Sequence, residues 1–211
     1  MVSEIYIVGA GGLGREVLAM LQGMPTWKVV GFYDDIKTGE IENISVAGTI
    51  SDLLHHKGSC CVVVAIGNPR VKQMVVQRLS IKTDIQYATL IHPQATLYQH
   101  QSIYIGHGVI IGAGVRLTTG IRLGNHVLLN LNCTVGHDAI LSDYCSVMPG
   151  AHLAGAVLLK EAVLIGSAAS VLNGVSIGTG SIVGSGSVVT RGVPENTTVV
   201  GVPARKLSVH R

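Results

Sequence analysis

The chain has 211 residues, of which 13% are charged, and a formal net charge of +3. A charge this small does not by itself favour a nucleic acid or an anionic membrane as a partner. No apolar run approaches the roughly 18 residues that span a membrane, and the first residues lack a secretory signal pattern. The four cysteines form no C-x-x-C pair, which favours a reduced, cytoplasmic protein.

A glycine-rich turn follows the first predicted strand, residues 4–8. Gly9, Gly11 and Gly14 fit the pattern G-x-G-x-x-G, and a helix is predicted from Arg15 to about residue 22. Such a turn allows the amides at the helix start to hold a phosphate. Similar turns occur in α/β domains that bind no nucleotide, so the motif alone leaves ligand binding open.

Two acidic residues, Asp34 and Asp35, follow the second predicted strand, Trp27–Tyr33. An acidic side chain in this place can contact a ribose, although the same pair in a loop could simply be solvated. The third strand is predicted over Cys60–Ile66, and residues 70–88 form a helix and a fourth strand. This half-domain is too small for a complete dinucleotide fold, which argues against a nicotinamide-dependent enzyme.

The second half of the chain has a six-residue period. An aliphatic residue recurs at every sixth position from Ile105 to Val189, and the residue four positions further on is small or apolar. Two inward positions per six residues do not fit an amphipathic helix, but they fit a strand of three or four residues closed by a corner. Three hexads make one coil, so five coils are predicted. Ile91 and Leu97 begin an earlier coil that is two residues out of phase.

These repeats resemble those of the hexapeptide acyltransferases. The resemblance implies a left-handed parallel β-helix that forms a homotrimer and binds acyl-CoA between neighbouring prisms. The predicted fold is therefore an α/β Rossmann-like half-domain, residues 1–88, followed by an all-β left-handed parallel β-helix with a C-terminal tail, residues 89–211. Together the two domains resemble the sialic-acid O-acetyltransferases and the UDP-4-amino-sugar N-acetyltransferases over nearly the whole chain.

The resemblance implies that three turns of the half-domain hold the nucleotide of a nucleotide-linked sugar. The residues at these turns are Gly11, Gly12, Leu13, Asp34, Asp35, Gly67 and Asn68. Leu13 departs from the family, which often has a polar residue there. Its contacts are therefore expected to be made by the backbone.

His137 stands out among the nine histidines as a candidate base. It is the third residue of the hexad that begins at Val135, so its side chain is predicted to point outward at a corner. The neighbouring carboxylate of Asp138 can orient the imidazole and raise its basicity. The family that the chain resembles has its catalytic base in this coil, followed by an acidic residue, which implies this role for His137 and Asp138. The amino-sugar enzymes usually carry Glu there and the sialic-acid branch Asp, so N- versus O-acetylation stays open.

Acetyl-CoA is the co-substrate that the resemblance implies. The backbone amide of Gly155 corresponds to the donor that faces the developing oxyanion. The residues predicted to contact coenzyme A are Ser146, Gly166, Ser167, Ser185 and Arg205. Ser146 replaces a histidine that helps to bind the acetyl donor in the amino-sugar enzymes. Arg205 and Lys206 could meet a coenzyme phosphate, or form a solvated basic terminus.

The remaining histidines have simpler interpretations. Those at predicted turns are expected to be solvated, and they are His92, His100, His107 and His126. No metal site is predicted, because a zinc hydrase on this prism needs two close histidines and the next after His137 is His152.

The leading hypothesis is N-acetylation of a nucleotide-linked amino sugar for surface glycans, by direct attack on acetyl-CoA in a ternary complex. Cys133 and Cys145 are predicted to point into the core, where neither can easily carry an acyl group. Sialic-acid-type O-acetylation is the first alternative. A non-catalytic protein that binds sugar nucleotides is the second.

Overall fold

The computed structural model describes residues 2–207, and the chain divides into two compact units, Met1–Thr89 and Leu90–Arg211. The first unit is a Rossmann-like α/β domain and the second is a parallel β-helix. Within the described residues, no helix is long and apolar enough to cross a membrane.

The α/β unit is built on one six-stranded sheet in the order β3-β4-β2-β1-β5-β6. Its strands are β1 Ser3–Val8, β2 Trp27–Tyr33, β3 Glu40–Ile41, β4 Ile44–Gly48, β5 Cys60–Val64 and β6 Ile85–Tyr87. Its helices are α1 Gly12–Gln22, α2 Ile50–Leu54 and α3 Pro69–Leu79. Only the short hairpin β3–β4 is antiparallel among these strand pairs. The parallel strands therefore place their carboxyl ends on one edge, where α/β domains bind ligands.

Apolar side chains hold this unit together. Ile5 and Ile7 of β1 are fully buried, and α1 buries Val17, Leu18 and Leu21 on one face. This spacing is the helical stripe expected for a helix that covers a sheet. The predicted strand Trp27–Tyr33 is confirmed, whereas α1 begins three residues earlier than predicted and β5 ends at Val64.

The prediction of four strands in this unit was wrong, because the segment between β2 and β5 contains a hairpin and a helix. The hairpin turns at Glu42 and Asn43, which adopt positive φ angles of 49° and 66°. Helix α2 follows directly, with Thr49 and Asp52 forming a capping box at its start. The hairpin extends the sheet beyond β2 and contributes Glu40 and Ile41 to the cleft described below.

The second unit is a three-sided prism of short strands. Its strands are Leu90–Ile91, Thr96–Leu97, Tyr104–Ile105, Ile110–Ile111, Arg116–Leu117, Arg122–Leu123, Leu128–Leu129, Thr134–Val135, Ile140–Leu141, Ser146–Val147, His152–Leu153, Leu158–Leu159, Leu164–Ile165, Ser170–Val171, Ser176–Ile177, Ile182–Val183, Val188–Val189, Thr198–Val200 and Arg205–Lys206. Most have two residues, which is shorter than predicted. They form three sheets, in which each strand pairs in parallel with the strand one coil later, as Leu128 does with Ser146. Only the last pair, Thr198–Val200 with Arg205–Lys206, is antiparallel.

The core of the prism confirms the predicted period. Both inward positions of each hexad are buried except Ile105, which is partly buried; Leu129 and Cys133 in one hexad and Val147 and Ala151 in another are examples. Seven corner residues other than glycine adopt positive φ angles between 54° and 64°. They are His126, Asn132, Asp138, Tyr144, Ala156, Ala162 and Ala168. The corners therefore accept alanine as well as glycine in the left-handed conformation.

The early coil is out of phase in the way that the sequence predicted. Leu97 pairs with Leu117, twenty residues later, whereas Ile105 pairs with Leu123, eighteen residues later. The chain therefore contains two extra residues between Leu97 and Ile105. The extra residues are accommodated at one corner, next to the 3₁₀ turn His100–Ser102. This is the corner on which His137 lies two coils later.

Candidate active site

His137 and Asp138 form a hydrogen-bonded pair on an outward corner of the prism. Nδ1 of His137 lies 2.8 Å from Oδ2 of Asp138, and the two side chains are 59% and 68% exposed. A carboxylate only accepts hydrogen bonds, so Nδ1 carries the hydrogen and Nε2 is left with a free lone pair. The pair therefore presents an imidazole base in a fixed tautomer.

Gly155 lies one coil after His137 on the same corner. A β-carbon on Gly155 would stand 2.6 Å from Cε1 of His137 and even closer to Nε2, so the Nε2 edge of the ring faces this glycine. The N–H of Ala156 donates to the carbonyl oxygen of His137 at 2.7 Å and fixes the two turns together.

The N–H of Gly155 makes no hydrogen bond with any residue between 2 and 207. It is therefore an available backbone donor on the residue that faces the base. A donor placed where an oxyanion develops stabilises the transition state of acyl transfer. The corner thus combines a candidate general base with a candidate oxyanion donor.

The cysteines of the prism are poorly suited to carry an acyl group. Cys133 and Cys145 are fully buried, as predicted. Burial raises the pKa of the Cys133 thiol to about 11, against partial lowering by neighbouring backbone amides. A protonated, inaccessible thiol is not a nucleophile at neutral pH. The geometry therefore favours direct transfer between two bound substrates.

The expectation that His126 is solvated was wrong. His126 is 5% exposed, and its ring stacks on that of Tyr144, with ring centroids 5.6 Å apart and planes within 2°. The stack covers the imidazole because His126 and Tyr144 occupy equivalent corner positions one coil apart. Among the described residues, no group of three or more His, Cys, Asp or Glu side chains could hold a metal ion.

A cleft of about 390 Å³ lies at the glycine-rich turn of the α/β unit. It is lined by Ala10, Gly11, Gly12, Arg15, Lys37, Thr38, Glu40 and Ile41. A β-carbon on Gly11 or Gly12 would meet nothing within 4 Å, whereas one on Gly14 would overlap the carbonyl of Gly9. Gly9 and Gly14 are thus needed for packing, while Gly11 and Gly12 leave open space before the amino terminus of α1.

Asp34 supports this turn. Its Oδ2 accepts the N–H of Ala10 at 2.7 Å, and its Oδ1 accepts the N–H groups of Ile36 and Lys37, both at 2.8 Å. Burial alone would raise the pKa of Asp34, but these three backbone donors and the charge of Lys37 outweigh it and hold the pKa below its ordinary value. These hydrogen bonds give Asp34 a structural role. Its predicted contact with a substrate stays a prediction.

The other predicted nucleotide contacts lie close to this edge of the sheet. Asp35 pairs with Arg78 at 2.8 Å and accepts the N–H of Ile50 at 2.9 Å. Asn68 caps α3 by accepting two backbone N–H groups, and Gly67 precedes it in the turn after β5. Leu13 is half-buried on the first turn of α1.

Two basic residues of the cleft were not predicted. Arg15 lies in the first turn of α1, and Lys37 lies in the loop that Asp34 anchors. Arg15 was assigned in the sequence only as a helix start, and Lys37 belongs to no motif. Their shared position appears only when the loop after β2 folds over the glycine-rich turn. Together with the amides of α1, they make the cleft suited to a phosphorylated ligand.

The predicted coenzyme contacts are divided between two places on the prism. Gly166, Ser167 and Ser185 lie together on a different corner from His137, and Gly166 packs against the backbone N of Ser185. Arg205 and Lys206 line a second cleft of about 330 Å³ near the end of the described chain.

Ser146 needs a correction. Its side chain is fully buried, so it offers no surface to a coenzyme in the protomer. It was predicted to contact coenzyme A, which requires an accessible side chain, but its strand neighbour Leu128 is also only 2% exposed. This part of the prism face is therefore covered, which the repeat pattern does not reveal.

Comparisons with known proteins agree with this architecture. A model of the PglD N-terminal domain family matches residues 4–79. GDP-perosamine N-acetyltransferase of Escherichia coli O157:H7 is 32% identical over 161 residues, which cover 74% of this chain and 72% of that protein. The acetyltransferase domain of PglB from Neisseria gonorrhoeae FA1090, in complex with acetyl coenzyme A, is 30% identical over 98% of this chain and 100% of that chain, with a TM-score of 0.90.

PerB from Caulobacter crescentus, in complex with CoA and GDP-perosamine, is also similar. It is 29% identical, the match covers 99% of both chains, and the TM-score is 0.89. The fold is thus that of a hexapeptide-repeat acyltransferase. The chain belongs to the family of hexapeptide-repeat sugar acetyltransferases that includes GDP-perosamine N-acetyltransferase and the PglB acetyltransferase domain.

Proposed function

We propose that this protein transfers the acetyl group of acetyl-CoA to the amino group of a sugar linked to a nucleoside diphosphate. The observation that carries the proposal is the corner where Nε2 of His137, oriented by Asp138, faces Gly155 and its available N–H. The names of the related proteins support an amine rather than a hydroxyl as the acceptor.

In the proposed reaction, the neutral amine attacks the carbonyl carbon of the thioester while Nε2 of His137 takes a proton from the nitrogen. Asp138 stabilises the resulting imidazolium. The N–H of Gly155 donates to the carbonyl oxygen as negative charge develops there. When the tetrahedral intermediate collapses, the C–S bond breaks and the imidazolium returns a proton to the leaving thiolate. The products are an amide and free coenzyme A.

The glycine-rich cleft supports the nucleotide part of the acceptor. Gly11 and Gly12 leave room at the amino terminus of α1, where backbone amides attract anions. Arg15 and Lys37 add two positive charges beside the same opening, against one negative charge from Glu40, so the charged side chains that line the cleft sum to +1. A diphosphate fits this charge better than a neutral sugar does, which supports a nucleoside diphosphate as the carrier.

A homotrimer in the cytoplasm is part of the proposal. Ser167 and Ser185 occupy a different corner from His137. A coenzyme that contacts both the serine corner and the His137 corner therefore fits best between two copies of the prism. The family resemblance implies this arrangement with three copies. All four cysteines are free, which supports a reducing compartment.

The test is release of coenzyme A thiol from acetyl-CoA with a panel of acceptors. The panel contains GDP-, UDP- and dTDP-linked amino sugars, with CMP-sialic acid and free sialic acid as hydroxyl acceptors. We expect release with a nucleotide-linked amino sugar and an amide in the product by NMR. Release only with a hydroxyl acceptor would contradict N-acetylation. No release with any acceptor, from folded protein that binds nucleotide, would contradict an enzymatic function on these substrates.

A further inference from the structure

The carbonyl oxygen of Gly155 is held by two donors. The N–H of Gly174, on the next coil, donates to it at 3.0 Å, and the side-chain amide of Asn173 donates to it at 2.7 Å through Nδ2. Gly155 is therefore held by the coil that follows it, whereas His137 contacts it from the coil that precedes it. Asn173 was not singled out by the sequence, since it belongs to no recognisable motif.

Other turns of this corner have a simpler pattern. The carbonyl oxygen of Thr119 accepts only the N–H of Asp138, and that of His137 accepts only the N–H of Ala156, among the bonds within the described chain. The carbonyl oxygens of these two turns are therefore held by the backbone ladder alone, while Oγ of Ser102 accepts the N–H of Gly120 next to Thr119. The side-chain bond from Asn173 is added at the one turn of this corner where Gly155 faces the base.

We propose that Asn173 is a positioning residue that fixes the turn of Gly155, so that its N–H stays aimed at the reacting carbonyl. This inference rests on the proposed function. Glycine has wider backbone freedom than any other residue, and Gly155 has no side chain to restrain it. Two donors on its carbonyl oxygen restrict rotation of the peptide plane between Gly155 and Ala156, which adjoins the plane that carries the N–H of Gly155. An oxyanion donor is effective only when it is oriented before the charge develops.

The test compares the full-length enzyme with the variants Asn173→Ala and Asn173→Asp. Alanine removes the donor, whereas aspartate keeps the shape but presents an acceptor to the carbonyl oxygen. One neutral hydrogen bond corresponds to a loss of about 3- to 10-fold in kcat. We expect that loss in both variants, with unchanged KM for acetyl-CoA, unchanged affinity for coenzyme A by calorimetry and an unchanged shape of the pH–rate profile.

Asn125→Ala is the matched control. The Asn125 side chain also holds a corner, since its Oδ1 accepts the N–H of His107 at 3.0 Å, but it lies on a different corner from Gly155. We expect this variant to keep the kcat of the parent enzyme. An equal loss in the control would mean that kcat reports general loosening of the prism, and it would overturn the inference.

Three further outcomes have distinct meanings. Full kcat in Asn173→Ala, or parent-like kcat in Asn173→Asp, would overturn the positioning role while leaving the proposed function intact. A loss confined to coenzyme affinity would overturn it in favour of direct contact between Asn173 and the coenzyme. An inactive parent enzyme would overturn the proposed function itself, and this inference with it.

Discussion

The Nε2 edge of His137 faces Gly155 so closely that a β-carbon there would overlap the imidazole ring. The contact exists because both residues occupy the same corner in consecutive coils. It requires glycine at position 155 for a steric reason, independently of backbone conformation. The imidazole and the candidate backbone donor are therefore brought together by the repeat itself.

Gly155→Ala is expected to lower kcat by at least about 100-fold, because the added carbon displaces the base and disturbs the donor together. The measurement is steady-state release of coenzyme A thiol, with circular dichroism to confirm that the prism is folded.

Gly150→Ala is the control for backbone strain at a corner. Gly150 has φ of +67°, and a β-carbon there would meet nothing within 4 Å. Ala168 already adopts φ of +54° at the equivalent position one coil later. We expect kcat close to the parent value. Equal losses in Gly150→Ala and Gly155→Ala would contradict the steric account.

Asp138→Ala is expected to separate catalysis from stability. Both partners of the pair are more than half exposed, and exposed ion pairs contribute about 1 kcal/mol or less to the free energy of unfolding. The thermal midpoint should therefore change little. Because the imidazole loses its orientation, kcat should fall about tenfold or more. A large fall in the thermal midpoint with unchanged kcat would show that the pair is structural.

Acetyl transfer is expected to proceed without an acetylated enzyme. Since Cys133 is buried and its thiol pKa is raised to about 11, it should not react at neutral pH. Incubation with acetyl-CoA and no acceptor should leave the mass of the protein unchanged, and Cys133→Ala should retain transfer. A protein heavier by one acetyl group, formed as fast as turnover, would contradict direct transfer.

Asp34→Asn is expected to destabilise the α/β unit in a pH-dependent manner. The folded state lowers the pKa of Asp34 below its ordinary value of 3.8, so its stabilising contribution is present above that pH and disappears as pH falls through the lower folded value. At neutral pH the variant should unfold at a lower urea concentration. The difference should shrink as the pH falls below 3.8.

Fluorescence of Trp27 can follow this unfolding, because it is the single tryptophan of the chain and lies in β2. Glu4→Gln is the control, since Glu4 makes only an exposed ion pair with Lys28. It should change the urea midpoint little. A destabilisation by Asp34→Asn that stays constant down to strongly acidic pH would contradict the role of the charged carboxylate.

Arg15→Ala and Lys37→Ala are each expected to weaken binding of a nucleoside diphosphate by about 3- to 10-fold at low salt, since each removes one charge from the cleft. Screening should reduce the difference at high salt. Calorimetry with GDP and UDP is the measurement. Lys28→Ala is the control because Lys28 does not line the cleft. Unchanged affinity in both cleft variants would place the nucleotide elsewhere.

The sequence predicted the prism well because its period reflects a physical requirement. Each inward side chain must be apolar or small, and each coil repeats that demand after eighteen residues. The shift between Leu97 and Ile105 could be detected for the same reason, since it moves the inward positions by two. The outward position of His137 followed from its place in the hexad.

What the period could not predict is whether outward residues are covered. Ser146 and His126 were both expected to be accessible, yet one lies on a covered face and the other stacks on Tyr144. The direction of a side chain follows from local backbone geometry, whereas its burial depends on neighbours that are distant in sequence. The role of Asn173 was hidden for the same reason, because its partner Gly155 lies one coil away.

The α/β unit was harder to predict because its short elements carry weak signals. The hairpin around Glu42 and Asn43 has one strand of two residues and one of five. The capping box formed by Thr49 and Asp52 was a readable signal for α2 that had not been used. The bond between Asp34 and Ala10 joins two turns across the sheet, so only the folded structure reveals it.

In the proposed reaction, His137 removes the proton from the acceptor amine. The most direct test of this step is the kcat of His137→Ala relative to the parent enzyme, measured by coenzyme A release with the best nucleotide-linked amino sugar at saturating acetyl-CoA. We expect a loss in kcat of about 10²- to 10⁴-fold, with coenzyme A affinity and folding retained. A kcat within a few fold of the parent value would contradict this step.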